Sequence, residues 1–343
     1  MFKLVMKSCF LLILCLVLMS CDTGQDDNHL ITLTGFTMGT TYTIKINEPH
    51  LTVDIPKIKT GIDDILTAIN NQMSTYQNNS ELSRINQART TDWIDIPDDL
   101  FTVISSAINT SILSQGAFDI TVGPVVNLWG FGPDPKPEQV PDEQLIQSAL
   151  LNIGYQHLHL RVSPPALKKD LEEIYIDLSG IAPGFAVDKL AAYLEQYAIQ
   201  NYMVELGGEI KAKGKNPQGI PWQIGIEKPV FNQRSVQRII SLDNIGLGTS
   251  GDYRDYFEED GIHYSHIIDP KTGKPTTHTL ASVTVLHPST MVADAMAVAL
   301  FVMGQESGMQ LAQKENLAAF FIIREEEGYN EEMTDTFKKY IYH

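Results

Sequence analysis

Cysteine is nearly missing from this 343-residue chain: there are three, and Cys9, Cys15 and Cys21 all fall within the first 21 positions. The body therefore has no material for a disulfide, a thiolate metal site or a thiol nucleophile. Basic residues are scarce as well, 25 Lys and Arg against 42 Asp and Glu, for a formal net charge of −17. A surface of that sign excludes general nucleic-acid binding, which needs cations to displace the counterions of phosphate. Long apolar runs are absent beyond the N-terminal stretch. So are the G-x-x-x-x-G-K-[ST] phosphate loop, the H-E-x-x-H zinc helix and the G-x-S-x-G elbow. What is present is a hydrophobic fraction of 43%, too high for a disordered chain and enough for a core.

The N-terminal stretch carries Lys3 and Lys7 and then runs apolar from Ser8 to Met19. A basic start followed by an apolar run of this length reads as a secretory signal, and the run is short for a spanning helix, which needs ~20 apolar residues. Leu18-Met19-Ser20-Cys21 resembles a bacterial lipobox, with Cys21 the lipidated first residue of the mature protein. Residues 1–20 are thus expected to be a lipoprotein signal, 21–30 a polar tether, and 31–343 one globular domain. Asp22, directly after the cysteine, resembles an inner-membrane retention signal. The expected location is the bacterial cell envelope, lipid-anchored at the periplasmic face of the inner membrane.

Within the body, Thr41–Ile46 alternates as a strand, and Ile58, Ile62, Ile65, Leu66, Ile69 and Met73 recur at helical spacing. A second helix follows Pro97 and ends near Gly116; Gly130–Pro141 is a Gly- and Pro-rich loop, with a short helix through Leu145 and Leu150 after it. The pattern then predicts a strand over Ile174–Leu178 and a helix over Gly184–Ile199 with Pro183 in its first turn. Strands follow at Tyr202–Leu206, Trp222–Ile226, Val236–Leu242 and Ala281–Leu286. A helix from Met291 stops at Gly304, and Leu317–Ile323 is a last strand. Helices and strands mix without βαβ alternation, which predicts an α+β fold with a mixed sheet and packed helices.

Five stretches carry more than folding requires. Gly35–Tyr42 pairs glycines with hydroxyls before a strand, a setting for a diphosphate or simply a Gly-rich strand start. Gly116–Gly132 sets Asp119 among aromatics and glycines, fit for a flat ring or for a core-edge cluster. In Asp177–Asp188 the chain enters a helix through Ser179-Gly180, leaving free N–H groups for a phosphate unless Ser179 merely caps. Gly248–Arg254 and His263–Gly273 place Thr249 and Ser250 at a turn, with Arg254 as an anion partner and His266 as either a base or a structural histidine. Asp294 sits on a helix that is apolar on nearly every side. Burying it unpaired would cost several kcal/mol, so it calls for a hydrogen-bond network or a hard cation such as Mg²⁺ or Ca²⁺.

In this order, together with Ser74-Thr75-Tyr76 and Pro221–Ile226, these stretches resemble the ApbE family of flavin transferases. The resemblance spans Gly35 to about Gly304 and implies a single T-fold-like domain that binds FAD and Mg²⁺ and transfers FMN to a threonine of an exported acceptor, releasing AMP. Such acceptors resemble subunits of membrane redox complexes. It further implies that Met38, Tyr76, Ala117, Phe118, Asp119, Ser179, Phe185 and Ile268 contact FAD, that the Ala182 carbonyl and the Asp294 carboxylate hold the metal, and that His266 is the base. Val298 stands where the family pattern commonly has threonine, and Pro183 where it commonly has a basic residue. Two alternatives remain open at this point: an FAD pyrophosphatase releasing FMN and AMP, and a non-catalytic FAD-binding lipoprotein.

Overall fold

The computed structural model describes residues 30–49, 51–133, 140–230, 235–253, 256–259 and 261–342. The segment expected to be a signal, Cys21, the expected tether up to residue 29, and Arg254 lie outside the described residues. Among the described residues no helix is long and apolar enough to cross a membrane.

Eight strands form the central sheet, and their order in space is their order along the chain. They are β1 (Ile31–Thr37), β2 (Thr40–Ile46), β3 (Tyr202–Leu206), β4 (Glu209–Lys213), β5 (Ile245–Gly251), β6 (Leu280–His287), β7 (Ala318–Arg324) and β8 (Tyr329–Met333). Every neighbouring pair is antiparallel. Four long helices cover one face: α1 (Ile55–Met73), α2 (Asp98–Leu113), α3 (Ala182–Gln196) and α4 (Thr290–Lys314). A hairpin of Trp222–Glu227 with Val236–Leu242 covers the other face, so the α+β molecule has three layers.

Strand periodicity explains why β7 is apolar from Ala318 to Ile323. Ala319, Phe321 and Ile323 point into the core beneath α4, while Ala318, Phe320 and Ile322 point into the core beneath the hairpin. Helix α1 buries Ile58, Ile62, Leu66, Ile69 and Met73, the stripe expected from their spacing. Up to Met303, helix α4 is apolar on nearly every side but for Asp294, because it too serves two cores: Ala295 and Ala299 face the helices, and Met296, Leu300 and Phe301 face the sheet. Gly304, at φ 77° and ψ 178°, interrupts it as predicted, and a second helical stretch runs on to Lys314.

One expected strand is absent. Ile174–Leu178 is extended, with Ile174, Ile176 and Leu178 buried, but it joins no ladder. Its polar groups go elsewhere: the Ile176 N–H donates to Asn86 Oδ1 at 2.8 Å, Asn86 Nδ2 donates to the Ile176 carbonyl at 2.8 Å, and the Asp177 N–H donates to the Ile120 carbonyl. Alternation reports burial on one side only; it does not report whether a partner strand is in reach. Hairpins at 158–169 and 256–265, formed by Leu158–Arg161 with Ala166–Lys169 and by Tyr256–Glu259 with Ile262–Ser265, left no clear pattern in the sequence.

Candidate active site

A cleft of about 1290 Å³ opens between the helical layer, the strand ends and the loops 117–131 and 266–270. Small-molecule sites usually occupy ~300–1,000 Å³, so this one has room for an extended dinucleotide. Its wall gathers parts of all five stretches: Met38, Ala117–Asp119, Ser179 with Ala182, His266 with Ile268, and Asp294. Tyr76 joins them with its ring largely exposed, and its hydroxyl lies 3.5 Å from the Phe131 carbonyl.

Met38 reaches the cleft through a tight turn. Met38 (φ 50°) and Gly39 (φ 74°) are the two central residues of the β1–β2 hairpin, and positive φ at both is the backbone of a type I′ turn. A non-glycine residue in the left-handed region is strained; here the paired strands on either side hold it at the rim.

Asp294 is buried at the point where three elements nearly touch. A Cβ on Gly248 of β5 would stand 2.4 Å from the Asp294 nitrogen, and a Cβ on Gly184 of α3 would stand 2.8 Å from the Asp294 Cβ. Glycine at both positions lets strand and helices close on the carboxylate. Its hydrogen-bond partner is the Gly184 N–H, which donates to Oδ2 at 3.0 Å. Burial pushes the carboxyl up to about 7, against the lowering effect of that single donor. Ala182, two residues before Gly184, lies on the same wall. The donor set is therefore a carboxylate short of partners beside a backbone turn, oxygen only, which fits a hard divalent cation. Among the described residues no group of three or more His, Cys, Asp or Glu forms a conventional cluster. Val298, one turn after Asp294, lines the cleft with a methyl group that would stand 3.4 Å from a Cβ on Gly180. Thr290, one turn before it, is fully buried against Gly246 and does not line the cleft.

Asp119 faces inward. Its Oδ1 accepts from the Thr121 N–H at 2.8 Å and hydroxyl at 2.7 Å, and its Oδ2 accepts from the Tyr155 N–H at 2.9 Å. Burial raises its carboxyl while these donors lower it. Its oxygens shape the loop that carries Ala117 and Phe118. Ser179 does not cap α3: its N–H and hydroxyl both go to Asp177 Oδ1, at 2.8 and 2.5 Å, which leaves it exposed at the cleft. His266 stands edge-on to Phe131, ring centroids 6.3 Å apart.

Two expectations need correction. Phe185 is not part of the wall: its ring is packed in the main core with Lys189 Nζ 5.7 Å above it, because α3 turns it away from the cleft into the helical layer. Thr249 and Ser250 do not sit at a turn. They lie within β5, opposite Thr284 and Val283, and still line the cleft because the sheet ends beside it.

Sequence reasoning missed the acidity of the cleft. Glu205, Glu209 and Glu227 line it beside Asp119, Asp177 and Asp294, and among the described lining residues there is no Lys or Arg. Glu205 and Glu209 flank Gly207-Gly208, the tip of the β3–β4 hairpin, where both glycines have positive φ. The glycine pair was the available signal, but a turn motif does not say what the turn faces.

The ApbE family model matches residues 38–321. The chain is 45% identical over 327 residues to a Vibrio cholerae protein named FAD:protein FMN transferase, covering 95% of this chain and 96% of that one. It is 47% identical over 320 residues to a Haemophilus influenzae protein of the same name, covering 92% of each. Among solved structures, the flavin transferase ApbE from Vibrio cholerae superposes with a TM-score of 0.85 at 44% identity, over 91% of this chain and 99% of that one. With the ordered motifs converging on one cleft, these matches show that the chain belongs to the ApbE family.

Proposed function

We propose that this protein takes FAD into the cleft and passes its FMN half to a threonine hydroxyl of an exported acceptor protein, with Mg²⁺ or Ca²⁺ required. The observation that carries the reading is Asp294, a buried carboxylate with one N–H donor at the wall of a cleft lined by carboxylates. A diphosphate is repelled there unless a cation intervenes, since like charges a few ångströms apart are costly at low dielectric. The Asp294 carboxylate and the Ala182 carbonyl would hold that ion. When bound, it neutralises the diphosphate and polarises its phosphoryl oxygens.

The residues of the chain do the rest. Met38, Tyr76, Ala117 and Phe118 hold the dinucleotide with Ser179 and Ile268, Asp119 keeps the 117–121 loop in shape, and the wall orients the anhydride. The acceptor hydroxyl oxygen forms a bond to the FMN phosphorus as the anhydride P–O bond breaks. AMP leaves with the bridging oxygen, and the hydroxyl proton passes to the His266 imidazole. The FAD:protein FMN transferase names of the relatives support this reading. The acceptor belongs with the redox subunits of the membrane. The basic and apolar N-terminus with its Ser20-Cys21 junction supports a lipid anchor at Cys21, on the periplasmic face of the inner membrane.

The test mixes the soluble body, FAD, Mg²⁺ and an acceptor domain, and views flavin fluorescence on a denaturing gel. A fluorescent acceptor band that disappears in Asp294→Ala and His266→Ala is expected. Free FMN and AMP without a band would mean hydrolysis, and intact FAD would mean storage; either overturns the transfer reading.

A further inference from the structure

Helices α3 and α4 are tied together twice, in matching steps of one turn. On α3 the contacts come from Gly184 and Asp188, four residues apart; on α4 they fall at the helix start and at Asp294, also one turn apart. The Gly184 N–H holds Asp294 Oδ2. The Asp188 carboxylate accepts from the Thr290 N–H at 2.9 Å, the Met291 N–H at 3.1 Å and the Ser289 hydroxyl at 2.7 Å. An N-terminal helix turn has N–H groups with no intrahelical partner, and here two of them are satisfied by a residue of a different helix. The local N-cap does less: Ser289 Oγ is 3.4 Å from the Val292 N–H.

This arrangement does more than end a helix. Gly184 lets α3 approach until a Cβ there would stand 2.5 Å from the Thr290 carbonyl, but close contact alone does not stop one helix from sliding along the other. Directional bonds from Asp188 to the first turn of α4 do stop it, and the negative charge is favourable at that helix end. Lys211 of β4 steadies the carboxylate from the sheet, with Nζ 3.7 Å from Oδ1 and a hydrogen bond to the Pro288 carbonyl.

We propose that Asp188 is a positioning residue of the site: it fixes the axial register of α4 against α3 and so sets where the Asp294 carboxylate meets the cation. This rests on the reading of Asp294 as a metal ligand. The partner being positioned is a divalent ion, so the sensitive quantity is its affinity, which drops about 10-fold or more when the support of a ligand is lost.

The experiment measures the Mg²⁺-induced rise in melting temperature, without FAD, for the wild type, Asp188→Ala, Asp188→Asn, Ser289→Ala and Asp294→Asn. Half-saturating Mg²⁺ is expected to rise about 10-fold in Asp188→Ala and less in Asp188→Asn, which keeps one acceptor. It is expected to rise less in Ser289→Ala, which removes one of the three bonds to Asp188 and keeps the two from the Thr290 and Met291 N–H groups, although that variant also melts lower from loss of the local cap. Should Asp188→Ala fail to fold, Asp188→Asn decides: a wild-type Mg²⁺ curve overturns the proposal. An equal rise in Ser289→Ala also overturns it, since the effect would then be generic helix fraying. If Asp294→Asn keeps the full Mg²⁺ response, the metal reading itself fails. If Asp294→Asn abolishes the response and the Asp188 variants leave it unchanged, only the positioning role fails.

Discussion

Asp294 shows how a side chain that is unfavourable for folding can suit the proposed metal site. Its carboxyl is raised from an ordinary 3.8 to about 7 by burial. A group raised in the folded state contributes stability that is fully present below its unfolded pKa and lost as pH climbs through the folded one. The metal-free protein is therefore expected to melt lower at pH 8 than at pH 5, with on the order of a few kcal/mol at stake, and added Mg²⁺ to restore more at pH 8. Scanning calorimetry at the two pH values, with and without Mg²⁺, checks this; Asp294→Asn should flatten the slope and melt above the metal-free wild type at pH 8. Val298 is the second residue-scale test. Val298→Thr adds an oxygen one turn from Asp294 and should lower half-saturating Mg²⁺ several-fold, as the outer support of metal sites commonly does. Identical Mg²⁺ curves for the two proteins would remove that face of α4 from the metal site. Asp294 could be singled out in the sequence because a charge within Met291–Phe301 breaks an apolar helix, and no partner for it lies nearby in the chain. That Asp119 turns inward could not, since beyond the local Thr121 its other partner, Tyr155, lies 36 residues further along the chain.

Among the elements, the decisive contact is the crossing of α3 over α4 against β5. Gly184→Ala would push a methyl group to 2.5 Å from the Thr290 carbonyl. None of the three atoms it would meet, the Thr290 carbonyl oxygen, Asp294 Cβ and Met291 Cα, is the end of a flexible side chain, so the helices must part. Overpacking of this kind typically costs about 1–3 kcal/mol, and the same variant should bind Mg²⁺ and FAD more weakly because Asp294 loses its donor. Urea unfolding and a flavin fluorescence titration measure the two effects; normal stability and binding would show that the crossing is looser than the geometry states. The helices themselves were legible in the sequence. The stripe Ile58, Ile62, Leu66, Ile69, Met73, the start after Pro97 and the break at Gly304 are local signals of periodicity, capping and backbone conformation. The failed strand at Ile174–Leu178 marks the limit of such signals, because pairing needs a second strand and here Asn86 took that place.

Over the whole molecule, acidity is the property that shapes function. A chain of net charge −17 presents to its substrate a cleft lined by Asp119, Asp177, Glu205, Glu209, Glu227 and Asp294. FAD, itself an anion, should bind weakly after chelation and tighten at least about 10-fold when Mg²⁺ is returned, in line with the loss of a hard-cation bridge. Isothermal titration in EDTA and in Mg²⁺ tests this, and equal affinities would refute a cation bridge between protein and diphosphate. Composition, periodicity and ordered motifs determined the α+β class, the long helices, the absence of thiol chemistry in the body and the family, because each is written in near neighbours or in residue counts. Only the folded chain decided that Phe185 belongs to the core, that Thr249 and Ser250 belong to a strand, and that three glutamates join the wall of the cleft. Those facts depend on which surfaces meet across stretches of sequence from some 35 residues, as for Thr249 and Thr284, to 110, as for Gly184 and Asp294, and side-chain direction at such a meeting is set by packing rather than by the chain next to it.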